Sequence, residues 1–220
     1  MNGTRTAFGQ AMEAIEAKVS ELFGMLAEDL PAATDALLGA CDLVAVVAER
    51  EKVIDTLYQE VEELAGRQIL LQAPVGPDLR FLLAVLRVTP ELERSHDLVM
   101  QIASQASRLP AEDLSSQGSD LAGQMGRLAA RMWHQAAYAW YARDPASAAT
   151  LSQDDQEMDG LYARLTAELT SGRMTLPVAM EMTLVARCYE RLAAHAVNIA
   201  RRVTTLAGPV ASYPSADAAL

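Results

Sequence analysis

"LERSHDLVMQIA" at residues 92–103 and "YERLAAHAVNIA" at 189–200 are two versions of one helical pattern, 97 residues apart. In both, apolar residues recur at spacings of three and four, which places them on one face of a helix. A second pair of segments precedes them in the same order. "DTLYQEV" at 55–61 resembles "DGLYARL" at 159–165, an offset of 104. The two offsets differ by seven, and the deficit falls where "QAPVGPD" at 72–78 has no close counterpart. Two motifs repeated in one order read as an internal duplication. The rival reading is that Ala/Leu-rich helices resemble each other by composition alone.

Working outward, nearly every segment fits a period near 3.6, and no run alternates apolar and polar residues as a strand would. Punctuation then divides the chain into six helices. The first covers 5–29 and is expected to stop at Pro31; the second runs from 32 to 71, ahead of Pro74, Gly76 and Pro77. The third starts at Pro77 and runs to 108; Pro110 opens the fourth, which ends at "ARDP". The fifth spans 146–170, and the sixth begins around Thr175–Pro177 and ends at Gly208–Pro209. The predicted fold class is all-α: two tandem three-helix bundles related by an internal repeat. The expected units are 1–109 and 110–208, followed by a small polar tail over 209–220.

Composition narrows the function classes. Of 220 residues, 51% are apolar and only 5% aromatic, enough for an aliphatic core between helices. The net charge of −11 argues against nucleic acid and against an anionic membrane surface as partners. The first 19 residues carry no apolar core of a secretory signal, and runs such as "LVAVVA" and "FLLAVL" are too short to span a bilayer. A cytoplasmic protein is expected. Cys41 and Cys188 lie far apart inside helical patterns and read as buried free thiols rather than a disulfide.

The carboxylates carry the chemistry. Glu51–Asp55, Glu93–Asp97 and Asp155–Asp159 are acid-x-x-x-Asp pairs, and residues four apart share a helix face. Like charges at that spacing cost an isolated helix roughly 0.2–0.5 kcal/mol per pair, so their repetition points to use. Pairs from the second and third helices of a bundle meet as a four-carboxylate patch that suits a hard cation. The bland alternative is a solvated acidic stripe paired with Arg50, Arg80, Arg87 or Arg94. In the second copy Glu190 is kept, but Ala194 stands where the second carboxylate would fall. Glu93 and His96 also form one Glu-x-x-His, the spacing of di-iron carboxylate bundles, which need two. The other copy has Ala193 there, and His134 and His195 read as ordinary packed or surface histidines. No phosphate loop, G-x-S-x-G, Cys-x-x-Cys or H-E-x-x-H is present, and no segment reads as an anion site.

These motifs resemble the PhoU family, the accessory and regulatory proteins of phosphate-specific transport. The resemblance rests on "REKVIDTLYQEVEELAGRQILLQAPVGPDLR" (50–80), "LERSHDLVMQIA", "DDQEMDGLYARL" (154–165) and "VARCYERLAAHAVNIARRV" (185–203), with a softer match over 4–19. It implies two three-helix bundles and a non-enzymatic, often dimeric adaptor. Such an adaptor links the ATPase subunit of the phosphate ABC transporter to a sensor histidine kinase, restraining the starvation response. It also implies metal sites at Glu51, Asp55, Glu93 and Asp97 in the first repeat, and at Asp155, Asp159 and Glu190 in the second. Iron, zinc, manganese or magnesium are the cations considered. A di-metal carboxylate enzyme or metal store, and a metal-free scaffold, are the competing functions. Three departures stand out: Ala194 removes a ligand from the second site, His96 replaces a small residue, and Pro90 sits one turn before Glu93, where a kink would re-aim the first site.

Overall fold

The computed structural model describes the backbone of residues 2–39, 44–144 and 146–207. Among the described residues there are six α-helices, one 3-10 turn and no strand. The helices are α1 (Asn2–Leu37), α2 (Val44–Gln72), α3 (Gly76–Ala106), α4 (Ser116–Ala142), α5 (Ser147–Leu169) and α6 (Leu176–Ala207). Helices α1–α3 pack mutually, as do α4–α6, giving the expected two bundles. Cys41 and the tail over 209–220 lie outside the described residues.

Three boundaries differ from the sequence expectation. The second helix, expected from 32, starts only at Val44 because residues 32–37 belong to α1. Pro31 does not stop α1, which runs through it to Leu37 and closes at Gly39 with φ of 79°. Leu30, Ala33, Thr34 and Leu37 are all buried while Pro31 is exposed. The packing of that face outweighs the one hydrogen bond a proline removes. The fourth helix does not start at Pro110 but at Ser116, after a 3-10 turn over Ala111–Asp113. Ser115 is its N-cap: its Oγ accepts from the Gly118 N–H at 3.0 Å. Pro90 likewise lies inside an unbroken α3.

The bundles are welded together. Helix α1 packs on α4 and α3 packs on α6, and one apolar core runs through both bundles. Both crossings are antiparallel. Along the first, Glu16 meets Arg143, Ser20 meets Tyr141 and Phe23 meets Trp140 and Trp133. Along the second, Glu91 meets Arg202, Ser95 meets His195 and Gln101 meets Cys188. Cys188 is free, and burial pushes its thiol up to about 11. Arg143, in the left-handed region at the end of α4, stacks on Phe81 and Trp140 and donates to Glu16 at 2.8 Å.

Among the described glycines the tightest approach is at Gly126. A Cβ there would stand 2.4 Å from the Thr34 methyl, and the Thr34 hydroxyl is itself bonded to Tyr189 at 2.9 Å and to the Leu30 carbonyl. Gly160, also mid-helix, faces open space. Gly160→Ala should therefore stabilise by about 0.5–1 kcal/mol through helix propensity. Gly126→Ala should destabilise by about 1–3 kcal/mol through overpacking. Urea unfolding of both variants reads the sign; a stabilising Gly126→Ala would mean α1 and α4 are not held at this distance.

His96 supplies a pH dependence. It is buried in α3 with its Nε2–H donating to the Leu22 carbonyl at 3.2 Å, and burial pushes its pKa down from 6.5 to about 4. Between those values the unfolded chain binds the extra proton, so the stabilisation is complete above pH 6.5 and is lost as pH falls toward 4. The loss is on the order of 3 kcal/mol across that window. His96→Gln, which keeps an N–H donor, should flatten it in denaturant titrations run from pH 7 to pH 4; an unchanged slope would place the titrating group elsewhere.

Candidate functional site

The seam between α2 and α3 collects acids, because their apolar faces (Ile54, Leu57, Val61 on α2; Leu92, Val99 on α3) are pulled into the core. The flanking positions are left along the rim. Glu93 is half-buried, and its carboxyl is raised chiefly by burial, then by the charges of Asp97 and Asp55, with Glu62 adding to them and Arg94 opposing. Tyr58 is raised by burial and by Glu62 and Glu93. The structure thus brings Asp55, Glu93 and Asp97 together and adds Glu62 and Tyr58, which the sequence reading did not include. Glu51 is exposed, one turn earlier on α2.

The arginines that could neutralise this stripe mostly pair or point elsewhere. Arg50 pairs with Asp29 at 2.6 Å and Glu28 at 3.1 Å on α1. Arg80 and Arg87 line a groove between α3 and α6. Only Arg94 acts on Glu93, and it also reaches the Pro90 carbonyl and Glu91. The raised Glu93 and the all-oxygen donor set fit a hard cation in chemistry. Among the described residues no three His, Cys, Asp or Glu side chains already converge on one point as ligands.

The second repeat is built differently. Asp155 is raised by burial and by Asp159, but Arg201 opposes both. Glu190 is ion-paired on its own helix with Arg187 at 3.2 Å. Ala194 offers no ligand, so this seam keeps two neighbouring carboxylates, with Arg201 lowering Asp155 by less than burial and Asp159 raise it. It fits a metal less well than the first seam does. His96 does not join Glu93 either: its ring points to α1, while Glu93 responds to Asp55 on α2. The Glu-x-x-His spacing therefore gives no shared ligand pair here.

A cavity of about 780 Å³ lies between α1, α4 and the start of α5. Arg127, Arg131, His134 and Tyr138 line it from successive turns of α4, facing Thr34 and Asp35. Arg131 is held by Asp154 at 3.5 Å and Glu157 at 3.3 Å, and Gln135 Oε1 is buried there without a partner. The signal in the sequence was a run of polar residues at helical spacing on α4. At the α3–α6 crossing, His195 is more than a packed histidine. Its Nδ1 is 2.8 Å from Ser95 Oγ and its Nε2 is 3.7 Å from Glu91, which also pairs with Arg202.

Fold and site together define a class: paired three-helix bundles with carboxylate pairs on the second and third helix of the repeat. The PhoU domain matches residues 19–106 and again 122–203, and the chain belongs to the PhoU family. It is 33% identical over 205 residues to "Phosphate-specific transport system accessory protein PhoU homolog 2" of Mycobacterium tuberculosis, covering 90% of this chain and 95% of that one. With PhoU homolog 1 of Mycobacterium leprae it shares 32% over 218 residues, 97% of both chains. The fold superposes on PhoU from Pseudomonas aeruginosa with a TM-score of 0.84, at 24% identity, covering 91% of this chain and 98% of that one. For the phosphate transport system regulatory protein PhoU from Streptococcus pneumoniae the TM-score is 0.80, at 22% identity, covering 91% and 96%.

Like charges around Glu93 oppose folding at neutral pH. In chelator, Glu93→Gln should stabilise the protein by a few tenths of a kcal/mol, the size expected for screened, partly exposed charges. Calorimetry would show a slightly raised Tm. A clear loss of stability would mean that Glu93 holds a favourable partner instead.

Proposed function

We propose that this chain regulates phosphate uptake and phosphate-starvation signalling, binding the ATPase subunit of a phosphate ABC transporter and a sensor histidine kinase. It represses the response when phosphate is plentiful, and it works by association rather than by turnover, as a cytoplasmic homodimer. The observation that carries this reading is the whole-length match to relatives named for phosphate-specific transport accessory function. The acidic charge, and the absence from the described residues of a helix long and apolar enough to cross a membrane, agree with a protein partner rather than lipid or nucleic acid.

The acidic seams are the proposed metal sites of this regulator. Asp55, Glu93 and Asp97, with Glu51 a turn away, hold iron, zinc, manganese or magnesium; the bound cation supplies the charge that lets these carboxylates stay ionised side by side. Asp155, Asp159 and Glu190 form the weaker second site. Nothing in the placement of His96 favours the di-metal enzyme or metal-store reading.

Deleting the gene should make phosphate-regulated transcription constitutive in phosphate-rich medium, and complementation should restore it; unaltered regulation would overturn the adaptor role. Metal titration of the purified protein should give unequal phases. Asp97→Ala should remove the tighter one and Ala194→Asp should strengthen the weaker. Two equal phases in the wild type, or none, would contradict the assignment of the seams.

A further inference from the structure

Arg80 and Arg87 on α3 and Arg201 and Arg202 on α6 line one groove of about 280 Å³, with Asn198 beside them and Leu83, Ala84 and Leu206 as its apolar walls. Four of the 18 basic side chains of a protein with net charge −11 are gathered here. Such a cluster repels itself unless something negative shares it. Glu91 pairs with Arg202 at 3.4 Å, and Asp155 interacts with Arg201. Among the described residues neither Arg80 nor Arg87 has an ion-pair partner. Four guanidiniums against two carboxylates leave two positive charges. The Nε–H groups of Arg80 and Arg202 are buried and donate to nothing in the protein. A buried donor left unmatched costs about 1–3 kcal/mol.

Packing does not require this cluster. Under the 97-residue repeat, Arg80, Arg87, Arg201 and Arg202 correspond to Pro177, Leu184, Ser104 and Gln105. At these four positions the other end of the same α3–α6 seam carries no guanidinium, so the four are an addition to one end. We propose that the groove binds a small, multiply charged oxyanion of the phosphate class. A planar guanidinium fork matches such an ion bidentately. At about 30 Å³ per water the groove has room for about nine waters, enough for one tetrahedral oxyanion and part of its hydration. The ion accepts from Arg80 and Arg87 of the first bundle and Arg202 of the second, so it bridges them at their joint.

The test is calorimetric titration of the full-length chain with inorganic phosphate and with pyrophosphate, at constant ionic strength set by chloride. Saturable binding of one ion per chain is expected. Arg80→Gln and Arg87→Gln should each weaken it at least about tenfold, the value of one charge-assisted hydrogen bond. Arg164→Gln, an exposed arginine on α5 away from the groove, should bind as wild type does. Arg87 is exposed, so its replacement leaves the fold intact, which circular dichroism checks. The proposal is overturned by no saturable binding of either ion up to about 10 mM, by wild-type affinity in both groove variants, or by binding of polyglutamate but neither ion. The assay uses the isolated protein, so its failure is separable from failure of the regulator reading, which rests on the deletion phenotype.

Discussion

The distance between α1 and α4 at Gly126 is the constraint on which the rest of the structure depends. Thr34 sits against a helix that has no Cβ at that point, and its hydroxyl reaches Tyr189 on α6. One residue of the first bundle thereby touches two helices of the second. Phe23, Trp133 and Trp140 fill the adjoining core with ring centroids 6.3 and 6.4 Å apart, and the Trp133 indole N–H donates to the Leu192 carbonyl on α6. Because interiors pack as densely as crystals, an α1–α4 contact this tight fixes the bundles as one body. The α3–α6 crossing, with its buried Glu91 and His195, is then set as well. Every site described here hangs on α3 or α6, or on a helix packed against them.

The internal duplication gives a control for what structure alone demands. Features shared by both copies, such as the buried Leu57 and Leu161, follow from the fold they share. Features that differ need another account. The first seam keeps Asp97 and half-buries Glu93 among three like charges, Asp97, Asp55 and Glu62. The second replaces the acid by Ala194 and places Arg201 near Asp155. Each seam has one opposing guanidinium, Arg94 beside Glu93 and Arg201 beside Asp155, so the two differ in how many carboxylates they gather. Arg201 also lines the groove, so the second seam and the groove share one side chain.

The sequence made some of this legible and hid the rest for physical reasons. Helical period, the repeat and the acid pairs are local properties, readable from spacing, and the all-α bundles follow from them. The end of α1 was misread because a proline rule is local, whereas burial of Leu30, Ala33 and Leu37 is not. The α2–α3 acid seam was half legible: the charges of Asp55 and Asp97 both act on Glu93, but Glu62 and Tyr58 join them only once the interhelical register is known. Arg80 and Arg87 were read as possible partners of the acidic stripe. In fact they stand on another face of α3, toward a helix more than 100 residues later in the chain. No period in α3 alone says which helix will cover which face.

Glu91 shows how closely these sites are coupled. Its carboxylate is buried and is shared among Arg202, Arg94 and His195, drawn from both bundles. Burial holds His195 below its usual pKa even with Glu91 beside it, so a neutral imidazole faces the carboxylate and the arginines do most of the compensating. Arg94 on one side also acts on Glu93 of the acidic seam, and Arg202 on the other lines the groove. One buried charge therefore lies between a seam that would take a cation and a groove that would take an anion. A cation in the seam would push Arg94 away from Glu93 and an anion in the groove would draw on Arg202, so both would be felt at Glu91. With the bundles locked at Gly126, the seam and the groove still share this one buried charge at the α3–α6 crossing.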